Sequence, residues 1–130
     1  MADKKLMIDS TILIDYFRKT DKNNSMLVRH FDKYDQLYIS CVTEFEVLNG
    51  ASSVHSQFWD QMLQRFSILP FDSVVAKEAV KIVHQLKVAR KTIDKPDLFI
   101  AATAVVHGLM LDTANKKHFV HISSLSLLDQ

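Results

Sequence analysis

One cysteine, two glycines and two prolines in 130 residues rule out several kinds of protein. Cys41 alone forms no internal disulfide and fits a reducing compartment, so a cytoplasmic location is expected. No Cys and His spacing has the form of a zinc site. The shortage of turn-forming residues argues against a strand-rich sandwich and for a helix-dominated α/β chain. No apolar run approaches membrane-span length. The opening Met1-Ala2-Asp3-Lys4-Lys5 leads into only a very short apolar run, unlike a secretory signal. The net charge of +1 gives no broad basic field to advertise nucleic-acid binding, although a local patch would suffice. There is no repeat, linker or low-complexity stretch. What remains is 48% hydrophobic and 24% charged, the balance of an ordinary globular chain. Its length suits one domain over residues 1–130 with a sizeable core.

Short apolar runs alternate with helical patterns. Leu6-Met7-Ile8 reads as a buried strand ending at Asp9. Ser10 and Thr11 then offer capping hydroxyls to a helix with Ile12, Leu13, Tyr16 and Phe17 on one face. A polar break at 21–25 precedes a second helix. A second strand at Leu37-Tyr38-Ile39-Ser40 leads into a helix from Val42 to Gly50, and another helix is expected from about Val54 to Arg65. Ser67-Ile68-Leu69 is a third strand stopped by Pro70, and Ser73 caps a long helix to about Arg90. Asp94-Lys95-Pro96-Asp97 opens a helix whose body, Leu98 to Val106, carries no charge and is predicted buried on most sides. A fourth strand is expected at Leu109-Met110-Leu111, a polar turn at 115–119 and a fifth strand at Val120-His121-Ile122. The pattern predicts a doubly wound parallel sheet of four to five short strands with helices on both faces. The working site of such a sheet lies beyond the carboxyl ends of its strands.

Several acids fall there. Asp9 ends the first strand, and a helix cap is the competing reading. Glu44 and Glu46 lie roughly 200° apart around one helix, so only one can face a shared pocket. Glu46 shares a face with Val42, Phe45 and Asn49, which look inward; its competing reading is a capping box, Thr43-Glu44-Phe45-Glu46. Asp97 can equally compensate a helix dipole, Asp94 reads best as an N-cap, and Asn115 after Asp112 as a loop Asx turn. Carboxylates gathered at strand ends repel, and a shared proton or a cation relieves this. Oxygen ligands without His or Cys suit Mg²⁺ or Mn²⁺, which serve phosphoryl chemistry.

Four stretches carry a resemblance. They are Leu6-Met7-Ile8-Asp9-Ser10-Thr11, the Val42 to Gly50 run containing Glu46-Val47-Leu48-Asn49-Gly50, Asp97 to Ala104, and Leu111-Asp112-Thr113-Ala114-Asn115-Lys116-Lys117-His118-Phe119. In order and spacing they resemble the motifs of PIN-domain proteins, in particular the VapC-type ribonuclease toxins of toxin–antitoxin pairs. The resemblance spans nearly the whole chain. It implies a Mg²⁺- or Mn²⁺-dependent endoribonuclease with Asp9, Glu46 and Asp97 as catalytic and metal-holding acids, and it selects Glu46 over Glu44. Asn115 stands where many PIN domains carry Asp, and Asp112 is the residue that would substitute in a second metal site. Ser10 and Thr113 become supporting hydroxyls. Lys91, Lys95 and Lys116, with Arg90 and Lys117, are candidates for RNA phosphates, against an ordinary solvated surface. The implied partners are RNA, a small antitoxin and a second copy in a homodimer, with no membrane.

Two other readings compete. One is an inactive PIN fold serving as an RNA- or protein-binding module, which the Asn115 substitution favours. The other is a receiver-type phosphoacceptor domain; it needs an acidic pair by the first strand and an acceptor after the third, where Leu69-Pro70-Phe71-Asp72 fits poorly. His118 and His121 read as structural, Cys41 as a small buried hydrophobe, and Trp59 with Phe58 and Met62 as core or a dimer face.

Overall fold

The computed structural model describes residues 4–129; residues 1–3 of the opening segment weighed as a leader lie outside that range. Four parallel strands, β1 (Lys5–Ile8), β2 (Gln36–Ser40), β3 (Ser67–Leu69) and β4 (Leu111–Asp112), stand in the order β3-β2-β1-β4. Met7 lies opposite Tyr38 on one side and Leu111 on the other. Six α-helices accompany them among the described residues: α1 (Ser10–Arg18), α2 (Met26–Lys33), α3 (Cys41–Gly50), α4 (Ser56–Leu63), α5 (Ser73–Val88) and α6 (Lys95–Val106).

Strand alternation divides the core in two. Leu6 and Ile8 of β1, with Leu37 and Ile39 of β2, bury against α1, α2 and α4. Met7 and Leu111 face the other way, onto α5 and α6. Trp59 and Met62 belong to the first core, so the Trp59 group is core rather than a dimer face. In α6, Leu98 and every residue from Ile100 to Ala104 are buried, as its uncharged body predicts. Each large apolar side chain buried there contributes about 1.5–3 kcal/mol.

The structure moves several boundaries. The caps lie one residue upstream of those expected: Asp9 caps α1 and Asp72 caps α5, in place of the Ser10, Thr11 and Ser73 hydroxyls. A carboxylate accepts the exposed N–H of a first turn as well as a hydroxyl does. α5 ends at Val88 and α4 begins at Ser56. β4 starts only at Leu111, because Leu109 is still engaged in closing α6, its N–H donating to Ala104 O at 3.0 Å across Gly108 (φ +63°). The expected fifth strand does not form. Phe119 and Ile122 are buried with Val120 and His121 exposed between them, a turn spacing and not a strand alternation. The place beside β4 is taken by a single parallel bridge between Leu111 and Leu127.

Candidate active site at the carboxyl edge

Going from β1 to β2 the chain moves one way across the sheet, whereas β4 lies on the other side of β1. The crevice rule therefore selects the carboxyl ends of β1 and β4. Asp9 follows β1 there, only 2% exposed. Its Oδ1 caps α1, accepting from the N–H (3.1 Å) and hydroxyl of Thr11, and its Oδ2 accepts from the Thr113 hydroxyl at 2.6 Å. The backbone N–H of Ala114 in turn donates to Thr11 Oγ1 at 2.8 Å, and that of Asn115 to Thr113 Oγ1 at 3.0 Å. Asp9 is thus both a helix cap and a candidate site acid, with its orientation held from α1 and from the stretch after β4.

Glu46 arrives on α3, which packs against both α1 and α6. The capping-box reading fails, because α3 begins at Cys41 under the Ser40 cap, leaving Glu46 in the second turn and Thr43 buried with its hydroxyl unbonded. The inward stripe of α3 is Thr43 and Val47; Phe45, expected inward, is 64% exposed, and Asn49 is exposed too. Ser10 donates its hydroxyl to Glu46 Oε1 at 3.2 Å. Asp97 stands in the first turn of α6, near the positive end of that helix, and His118 Nδ1 bonds its Oδ2 at 3.1 Å. Asp94 occupies the N-cap position without a side-chain cap bond.

The three acids feel one another. Burial pushes the Asp9 carboxyl above the ordinary range, the Thr11 and Thr113 bonds pull it back, and the charge of Asp97 pushes it up again. Burial likewise raises Glu46, opposed by the Ser10 bond and reinforced by the charges of Asp97 and Asp9. Among the described residues no three Asp, Glu, His or Cys side chains stand ready to grip one ion as they are oriented. Asp9 and Asp97 are turned to hydroxyl and imidazole partners instead. The donor set is nevertheless all oxygen, anionic and mutually repelling, which is the chemistry a hard divalent cation relieves.

Other expected residues fall elsewhere. The Asp112 carboxylate is fully buried and bonds His30 Nε2 at 2.6 Å on the α2 face of the sheet, tying α2 to β4, and its backbone carbonyl accepts from Asp9 N–H at 3.3 Å. Asn115 is exposed at the rim, lining a groove with Thr11. A cavity of about 210 Å³ beside Asp97 is lined by Asp94, Lys117, His118 and His121, not by Lys91, Lys95 or Lys116. Arg90 closes α5 with its backbone, at φ +58° and with its N–H donating to Lys87 O at 3.0 Å. Two contacts to the acids were not expected from the sequence. Thr11 is more than a cap, and His118, treated as structural, holds Asp97 across 21 residues, a separation no local pattern reveals.

Fold and site together define a PIN-like α/β protein with acids at the carboxyl edge of a parallel sheet. The PIN domain family profile matches residues 6–124. The chain is 33% identical over 129 residues to Ribonuclease VapC1 of Methanocaldococcus jannaschii, covering 96% of this chain and 86% of that protein. It is 32% identical to Ribonuclease VapC1 of Rickettsia felis, covering 95% and 94%. A toxin–antitoxin complex from Klebsiella pneumoniae contains a chain similar in structure, with a TM-score of 0.75, 30% identity and coverage of 92% and 94%. The chain belongs to the PIN-domain family, and within it to the VapC type.

Proposed function

We propose that the chain is a divalent-metal-dependent endoribonuclease, the toxin of a toxin–antitoxin pair. The observation that supports it is the meeting of Asp9, Glu46 and Asp97 from three separate segments, near enough for Asp97 to raise the proton affinity of both others. Asp9, Glu46 and Asp97 would hold Mg²⁺ or Mn²⁺, which when bound supplies an acidified water and neutralises charge on the phosphodiester. Thr11 and Thr113 fix the direction of the Asp9 oxygens, and Ser10 fixes that of Glu46. Glu46, half-exposed with a raised proton affinity, takes the proton of the attacking water at its free carboxylate oxygen. Attack in line at phosphorus forms one P–O bond and breaks the bond to the 3′-oxygen, which takes a proton from solvent water as it leaves, while the proton on Glu46 returns to solvent. Lys117, in the cavity beside Asp97, meets an adjacent phosphate.

The proposed partners are RNA as substrate and a small antitoxin as inhibitor, by likeness to the Klebsiella pneumoniae toxin–antitoxin complex. Among the described residues no helix is long and apolar enough to cross a membrane. The test is cleavage of a mixed structured RNA pool in Mg²⁺, Mn²⁺ or EDTA by the parent chain, Asp9→Asn and Asp97→Asn. Cleavage should need the metal and fall about 10²-fold or more in each variant. Metal-independent cleavage, or equal cutting by all three proteins, would overturn the reading; RNA binding without cutting would leave the binding module.

A further inference from the structure

Arg18, in the last turn of α1, played no part in the reading of the sequence. It is exposed, and its guanidinium makes no hydrogen bond or ion pair to another described residue. Its neighbours differ. Lys22 Nζ is engaged by the carbonyls of Tyr16 (3.1 Å), Phe17 (3.0 Å) and Lys19 (3.1 Å), closing α1. Lys19 lies 4.0 Å from Asp15. Of these three cations at the end of α1, Arg18 is the one whose side chain has no hydrogen bond or ion pair to another described residue.

Its position is specific. Arg18 lines a groove of about 440 Å³ together with Asn115 and with Thr11, which bonds Asp9. It also lines a second concavity of about 360 Å³ whose wall includes Glu46. The second concavity has Glu46 in its wall on the α1 side of the sheet, and the cavity holding Lys117, His118 and His121 has Asp97 in its wall on the α5 and α6 side. Cations therefore flank the acids on both faces of the sheet edge. A chain carrying a phosphate at every residue, crossing that edge, meets Lys117 before the acids and Arg18 after them. A planar five-donor guanidinium matches a phosphate in two places at once.

We propose that Arg18 is a phosphate anchor for the RNA substrate, holding the strand over α1 on the side of the acids away from Lys117. The proposal rests on the ribonuclease reading. An acidic protein segment would also meet an unpaired guanidinium, but RNA is favoured because two of the three depressions that Arg18 lines have Glu46, or the Thr11 that bonds Asp9, in their walls.

The experiment measures binding of a labelled RNA pool to the nuclease-impaired Asp97→Asn chain over a salt series, alone and with Arg18→Ala, Arg18→Lys or Lys81→Ala added. Lys81 is exposed on α5 across the sheet and controls for loss of a charge. Arg18→Ala should weaken binding about tenfold and reduce the slope of log affinity against log salt by about 0.7. Arg18→Lys should keep the slope, and Lys81→Ala should change neither. Equal affinity and slope for Arg18→Ala and Lys81→Ala would overturn the proposal, leaving Arg18 to a protein partner, while the ribonuclease reading stands on the cleavage assay. If Arg18→Lys loses as much slope as Arg18→Ala, the effect is structural and the proposal also fails. A parent chain that neither binds nor cuts RNA would overturn both.

Discussion

At the residue scale, Asp9 carries three demands at once: it caps α1, receives the Thr113 hydroxyl and faces Asp97. Its carboxyl is raised above the usual range, and a group bound more tightly to its proton in the folded chain costs stability once ionised. That cost is fully present above the raised value and disappears as pH falls through it towards the unfolded value, about 3.9 for Asp. Thr113→Val deletes a bond that lowers the Asp9 carboxyl, so proton affinity there rises further. The variant should be about 1–2 kcal/mol less stable than the parent at neutral pH. The deficit should shrink as pH is lowered through the raised Asp9 range, leaving the part due to the Asn115 contact with Thr113. Urea unfolding of both proteins across that range checks this, and a deficit of the same size at every pH would sink it.

At the scale of elements, the two helices flanking the Asp97 loop end alike. In α6, Gly108 N–H donates to Val105 O at 3.2 Å and Leu109 N–H to Ala104 O at 3.0 Å. In α5, Arg90 N–H donates to Lys87 O at 3.0 Å and Lys91 N–H to Leu86 O at 2.9 Å. Both are the paired closing bonds of a left-handed C-terminus, which glycine suits because it has no Cβ. Gly108 fits at φ +63°, whereas Arg90 occupies the same conformation at φ +58°. Arg90→Gly should therefore raise stability by about 0.5–1 kcal/mol, the relief of strain less the entropy glycine adds to the unfolded chain. A higher urea midpoint with an unchanged slope confirms it, and an unchanged or lower midpoint refutes it. Sequence reasoning placed these helices because apolar spacing and Pro96 are local signals. The starts of α1 and α5 were missed by one residue because Asp9 and Ser10, or Asp72 and Ser73, are chemically equivalent candidates until the fold picks one.

At the scale of the molecule, what was legible is what is local. Asp9 after an apolar strand and Asp97 after Pro96 announce themselves within a few residues. Glu46 could be distinguished from Glu44 only by family likeness, since both competing faces of α3 carry apolar residues and the truly buried pair, Thr43 and Val47, was not the one expected. The His30–Asp112 bond, 82 residues apart in sequence, and the His118–Asp97 bond were invisible because nothing near either partner encodes the other. His118 has a consequence for the whole chain. With Asp97 turned to an imidazole and Asp9 to two hydroxyls, the acids repel one another in the folded state, and that repulsion lowers the stability of the entire domain. A cation that binds only the folded arrangement relieves it and stabilises the molecule by mass action, by about 1.4 kcal/mol at ten times its Kd. Mn²⁺ or Mg²⁺ should therefore raise the parent's Tm in a graded, saturable way. Asp97→Asn removes both a proposed ligand and the charge that raises Asp9 and Glu46, so its Tm in EDTA should equal or exceed the parent's while its metal response largely disappears. Thermal unfolding of the two proteins in a metal titration decides the matter without any appeal to RNA. Identical metal responses would mean that the three acids do not share an ion, and a variant less stable than the parent in EDTA would mean that the His118 contact outweighs the repulsion.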